Sequence, residues 1–84
     1  MQDETEHSYD MSAVQCRMAR AATGLGVRDL AVLAEVSPDT VARLERGANI
    51  RANTVAAIRA ALESAGVEFL DENGGGAGVR LRKK

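Results

Sequence analysis

The stretch VRDLAVLAEVSPDTVARLER, Val27 to Arg46, limits what this chain can fold into more than any other. Val27, Leu30, Ala31 and Ala34 recur at helical spacing for barely two turns, entered through Gly26. Val36 follows at once, and a new helix begins. Ser37 can accept from the amides of the next turn, Pro38 suits the first helical position, and Asp39 favours the positive end of the helix dipole. That helix buries Val41 and Leu44 and ends at Gly47, as a left-handed C-terminal residue would end it. The small Ala31 sits where the two helices must approach closely. Val36 fills the corner between them, and Val41 and Leu44 lock the second helix down.

Two more helices flank this pair. Ser12 is the natural N-cap of a helix running to Thr23, with Val14, Met18, Ala21 and Leu25 on one face and Gly24 as its stop. Asn53 is expected to cap a fourth helix whose buried stripe is Val55, Ile58, Leu62 and Ala65, closed by Gly66. The period then changes. Val67 and Phe69 alternate with Glu68 and Leu70, and Val79 and Leu81 with Arg80 and Arg82, so both segments read as short strands. The connecting DENGGGAG is longer than a tight two-residue turn, and a loose hairpin or an exchange of strands between subunits are both open. A phosphate-cradling role for GGGAG lacks the Lys-Ser or Lys-Thr that should follow it. The expected fold is mostly α: four helices with a short C-terminal two-strand β-element. Residues 1–10 form an acidic leader expected to lack order, residues 11–66 the helical domain, and residues 67–84 the β-element and basic tail. The Met11–Ser12 pair also reads as an alternative translation start.

Composition agrees with small, closely packed helices, because the aromatics are only Tyr9 and Phe69. At 84 residues the core is thin, and a partner subunit is a natural way to complete it. Lone Cys16 reads as a small buried or half-buried thiol, and no apolar run approaches the roughly 18 residues of a membrane span. A cytoplasmic, nucleoid-associated address follows by default. His7 has no neighbouring ligands, no metal spacing is present, and no nucleophile has a base, so neither an enzyme nor a cofactor is expected.

Net charge is −1, which looks wrong for a nucleic-acid binder until it is resolved along the chain. Asp3, Glu4, Glu6 and Asp10 place four of the twelve acids in the first ten residues, so from Met11 onward eleven basic residues face eight acidic ones. Every basic residue before Lys83 is arginine, whose planar fork grips phosphate and guanine as lysine cannot.

The corner between the central helices is a helix-turn-helix pattern. From Ser12 to about Ala65, and most strongly in VSPDTVARLERG, the chain resembles the lambda-repressor-like, Xre-type family of helix-turn-helix DNA-binding domains. The resemblance implies that the exposed start of the third helix, Pro38, Asp39, Thr40 and Arg43, meets base edges of double-stranded DNA. Arg43 is the foremost candidate, since its guanidinium can donate twice to guanine O6 and N7. Phosphate contacts are implied for Arg28, Ser37, Arg46, Asn49, Arg51 and Asn53. Arg20 and Glu45 match a structural pair of the family, a first-helix arginine on the glutamate near the end of the third helix.

Two positions depart from the family pattern. Val27 stands where glutamine often donates to phosphate, and Glu35 stands where the turn usually carries glycine at positive φ. The resulting expectation is a transcriptional regulator, a repressor binding an inverted-repeat operator as a homodimer. Val67, Phe69, Val79 and Leu81 are its candidate dimer face. Arg80, Arg82, Lys83 and Lys84 either reach phosphate or stay solvated. The alternatives are an antitoxin whose leader binds a toxin, and a helix-turn-helix module that binds another protein and has lost DNA.

Overall fold

The computed structural model describes residues 10–83. The acidic leader and His7 fall outside the described residues, except for Asp10, which is exposed. Four helices are followed by one antiparallel hairpin: α1 Ala13–Thr23, α2 Val27–Ala34, α3 Pro38–Glu45, α4 Ala52–Ser64, β1 Val67–Leu70 and β2 Gly78–Leu81. The fold is mostly helical, as the sequence implies.

Local chemistry sets the helix ends. The Ser12 hydroxyl accepts from the Gln15 amide at 3.0 Å while Gln15 Oε1 accepts from the Ser12 amide at 3.1 Å, a reciprocal capping box that starts α1. Ser37 caps α3 through the Thr40 amide at 3.1 Å, with Pro38 as the first helical residue. At the end of α3 the Gly47 amide donates to the Leu44 carbonyl and the Ala48 amide to the Arg43 carbonyl, both at 3.0 Å. Gly47 takes φ 90° there, the left-handed residue of a Schellman closure.

α2 packs on α3 and α4, and α1 covers α3, α4 and the hairpin. The core between them is built from Cys16, Ala19, Leu30, Ala31, Val41, Leu44, Ile58, Leu62 and Val67. Full burial of side chains such as Leu30, Ile58 and Leu62 contributes about 1.5–3 kcal/mol each. Ala31 is buried at the α2–α3 corner and Val36 packs half-buried beside it, as their spacing implies.

Three local expectations need correction. The buried face of α1 is Gln15, Cys16 and Ala19, whereas Val14 and Ala21 are exposed. α1 has turned its small and polar side inward because its neighbours there include the Glu45 carboxylate and two hairpin carbonyls, which need donors. Asn53 does not cap α4. The extended residue is Arg51, with φ −55° and ψ 143°, whose carbonyl takes the Thr54 and Val55 amides, and Asn53 is an exposed residue in the first turn. Ala61, not Ala65, completes the buried stripe of α4, since the helix ends at Ser64 and Ala65 is already exposed.

The two strands pair within the chain, with Val67 opposite Leu81 and Phe69 opposite Val79. Val67 is buried, Phe69 and Val79 pack half-buried against the core, and Glu68 pairs across the ladder with Arg80 at 2.6 Å. Gln15 Nε2 ties the open end of the hairpin to α1 by donating to the Leu70 and Gly78 carbonyls at 3.3 and 3.0 Å. The β-element therefore shares one core with the helices.

Candidate functional site

The site is organised around α3, and α1 fixes where α3 sits. Arg20 Nε and Nη2 donate to the two Glu45 carboxylate oxygens at 2.8 and 2.9 Å, while Arg20 Nη1 reaches the Leu25 carbonyl at 3.2 Å. This is a bidentate, charge-assisted grip on a carboxylate that is only 8% exposed. Arg17 donates to the Glu45 main-chain carbonyl, one of the carbonyls a helix leaves unpaired at its C-terminal end. The Cys16 thiol adds a bond to Glu45 Oε2 at 3.3 Å.

The electrostatics follow from that clamp. Burial alone would push the Glu45 carboxyl up, but hydrogen bonds from Arg20 and Cys16 and the nearby guanidinium charges outweigh it and hold the group below the usual carboxylate range. Burial, reinforced by the Glu45 carboxylate, pushes the Cys16 thiol up to about 12, so it stays a neutral donor. The hydrogen bond to Glu45 raises the Arg20 guanidinium above its already high ordinary value.

With its C-terminal end held, α3 presents its N-terminal half outward. Pro38, Asp39 and Arg43 are exposed and Thr40 is half-exposed. Ser37, Thr40 and Arg43 line one cleft together with Asn49, Arg51, Val36, Ile50 and Thr54. The sequence separates these groups by up to seventeen positions, and the α3–α4 connection folds back to join them. The Ser37 and Thr40 hydroxyls lie 2.9 Å apart, and Ser37 Oγ also accepts from the Thr40 amide. Of their two hydroxyl protons one is used between them, which leaves the other free to donate outward.

The remaining candidates lie off this cleft. Pro38 and Asp39 cap its rim on the first turn of α3. Arg28, Arg46 and Asn53 are exposed on α2, after α3 and on α4 respectively, and do not line it. Val27 is half-buried against the core and has no polar group to offer.

Sequence reasoning missed Thr54 and Ile50 as walls of the cleft, and nothing in their local pattern marks them. It also missed Gln15, although the Ser12-x-x-Gln15 spacing is a recognisable capping box. Glu35 adopts φ 60° and ψ 43°, the only non-glycine residue at positive φ among the described residues.

Such a surface can form charge-assisted hydrogen bonds to an anionic, groove-shaped partner: two guanidinium groups, an amide, a free hydroxyl proton and the start of a helix, all on one side. Among the described residues no cluster of His, Cys, Asp and Glu could hold a metal ion, and no helix is long and apolar enough to cross a membrane. A family model described as a helix-turn-helix domain matches residues 13–69, from the first residue of α1 into β1. None of the curated proteins is significantly similar to the chain.

Proposed function

The chain belongs to the family of helix-turn-helix domains, a DNA-binding regulator in that coarse sense, and on that premise we propose that it is a sequence-specific transcriptional repressor. In this reading it is of the lambda-repressor-like, Xre type and binds an inverted-repeat operator as a homodimer in the cytoplasm, at the nucleoid. The observation that carries the reading is the convergence of Ser37, Thr40, Arg43, Asn49 and Arg51 on one cleft beside the exposed start of α3. α3 enters the major groove, Arg43 reads a guanine edge, and Thr40 and Asp39 face neighbouring bases. Ser37, Asn49 and Arg51 hold the phosphate backbone on one side, with Arg28, Arg46 and Asn53 further out.

The dimer follows from magnitudes. One well-placed bidentate contact discriminates by about 1–3 kcal/mol, whereas specific sites are typically preferred by about 4–10 kcal/mol. Two copies on a palindrome close that gap. Burial of Val67 within its own chain leaves Leu81, with the exposed parts of Phe69 and Val79, as the apolar contact on the hairpin.

Selection of a random duplex library with the purified protein tests the reading, followed by anisotropy titrations of the winner at several salt concentrations. The expected result is an enriched inverted repeat and a steep salt slope. Arg43→Ala should lose the preference at one base pair, by about 1–3 kcal/mol, while keeping its salt-dependent affinity. No enrichment by a protein that is folded would overturn the reading in favour of a protein partner.

A further inference from the structure

Resting on the reading of the Arg43–Arg51 cleft as the DNA face, the geometry points to an occupant for that cleft when DNA is absent. Residues 1–9 carry Asp3, Glu4 and Glu6 and no Lys or Arg. They join the described chain at Asp10, which lines a groove with Ile50. Ile50 is also a wall of the cleft that holds Arg43, Asn49 and Arg51. The root of the leader and the cleft are therefore neighbours across one side chain.

Charge selects which way the leader turns. The groove at its root already contains three carboxylates, Asp10, Asp71 and Glu72, and repels a further acidic segment. The cations on the other side of Asp10 are engaged: Arg59 donates to the Asp10 carbonyl, pairs with Glu63 at 3.1 Å and stacks over Phe69, and Arg82 donates to the Glu63 carbonyl. Arg43 and Arg51 form no ion pair among the described residues. The three leader acids stand four to seven residues from Asp10, an extended reach of about 14–25 Å. A tether this short gives an effective concentration on the order of millimolar, enough for a weak electrostatic contact to form.

We propose that the acidic leader lies across the Arg43–Arg51 cleft and competes with DNA for it, so that only a site making good base contacts displaces it. The leader imitates the charge of a phosphate backbone without its geometry. Non-specific DNA, which offers charge alone, suffers most from the competition.

The test compares the full chain with the full chain carrying Asp3→Asn, Glu4→Gln and Glu6→Gln. Without DNA, backbone amide NMR shifts of Thr40, Arg43, Asn49 and Arg51 should differ between the two proteins at low salt and converge at high salt. With a random-sequence duplex, the variant should bind about three- to tenfold tighter at about 50 mM salt, with the difference shrinking to within about twofold at about 300 mM. Identical cleft shifts, or differences confined to the hairpin loop, would overturn the proposal, because tighter binding would then reflect net charge alone. If the cleft shifts differ but neither protein binds any duplex, the leader contact stands and the DNA reading falls.

Discussion

Glu35 holds a backbone conformation that its side chain disfavours. The Glu35 amide donates to the Val32 carbonyl at 3.2 Å and the Val36 amide to the Ala31 carbonyl at 3.0 Å, the same two-bond closure that ends α3 at Gly47. One closure uses glycine and the other uses glutamate at φ 60°. A left-handed conformation costs a non-glycine residue about 1–2 kcal/mol, and glycine would give back part of that gain through the greater freedom of the unfolded chain, about 0.4–1 kcal/mol. Glu35→Gly should therefore stabilise the protein by about 0.5–1 kcal/mol. For a chain of this size that raises the melting temperature by a few degrees, on the order of 4–8 °C per kcal/mol. Glu35→Ala, which keeps the Cβ, should not reproduce the rise, and differential scanning calorimetry of both variants separates backbone strain from any effect of the lost charge. A fall in the melting temperature of the glycine variant would mean that the Glu35 side chain stabilises the turn by more than its backbone strains it.

The position of α3 depends on α1 as much as on its own sequence. Four groups of those two helices meet at one point: Arg17, Arg20 and Cys16 from one, Glu45 from the other. Glu45→Gln removes the charge but keeps the shape, leaving Arg20 partly solvated at 24% exposure, so the expected loss is about 1–2 kcal/mol rather than the larger figure for a fully buried pair. Thermal melts should show that loss while the selected operator stays the same; a variant that melts normally but prefers other bases would remove Glu45 from this role. The same clamp sets the pH range. Glu45 is held below its ordinary value of 4.5, so its contribution is present above that pH and is lost as pH falls through the folded value. Cys16 behaves in the opposite sense: raised from 9.0 to about 12, it supports the fold fully below pH 9 and less as pH climbs towards 12. Glu45→Gln should flatten the acid limb of a melting-temperature profile, and Cys16→Ala the alkaline limb. This level of organisation also marks how far the sequence can be read. Ser12, Ser37 and Gly47 act on their own neighbours, so the helix limits they set are legible one residue at a time. The inward face of α1 is not, because Gln15 and Cys16 are buried for the sake of partners at Glu45, Leu70 and Gly78, far away in sequence. Asn53 misled for the opposite reason: a good capping residue stood two positions past the one that the chain uses. The cleft was legible in part, since Ser37, Thr40 and Arg43 share one helix face, whereas Thr54 joins them only through the path of the α3–α4 connection.

At the scale of the whole molecule the open question is how two copies meet. Four large apolar side chains remain exposed among the described residues: Val14, Val32, Leu33 and Leu81. Leu81 differs from the others in lying on a strand of a two-stranded sheet, where each strand keeps an unpaired outer edge that can continue the ladder into a partner. A symmetric pairing there would cover Leu81 and the outer parts of Phe69 and Val79 in both chains, with backbone bonds fixing the register. Val32 and Leu33 sit on α2, where an association would have no such bonds to set its geometry. Leu81→Glu puts like charges together at the two-fold axis of the proposed interface without touching the buried core, so the folded monomer should persist. The expected outcome in sedimentation equilibrium is a dimer dissociation constant raised about tenfold or more, equivalent to about 1.4 kcal/mol. Operator binding should become correspondingly steeper in protein concentration, because each half-site would then recruit its own monomer. Leu33→Glu is the control. Should it, and not Leu81→Glu, break the dimer, then α2 carries the contact and the hairpin serves only to close the core.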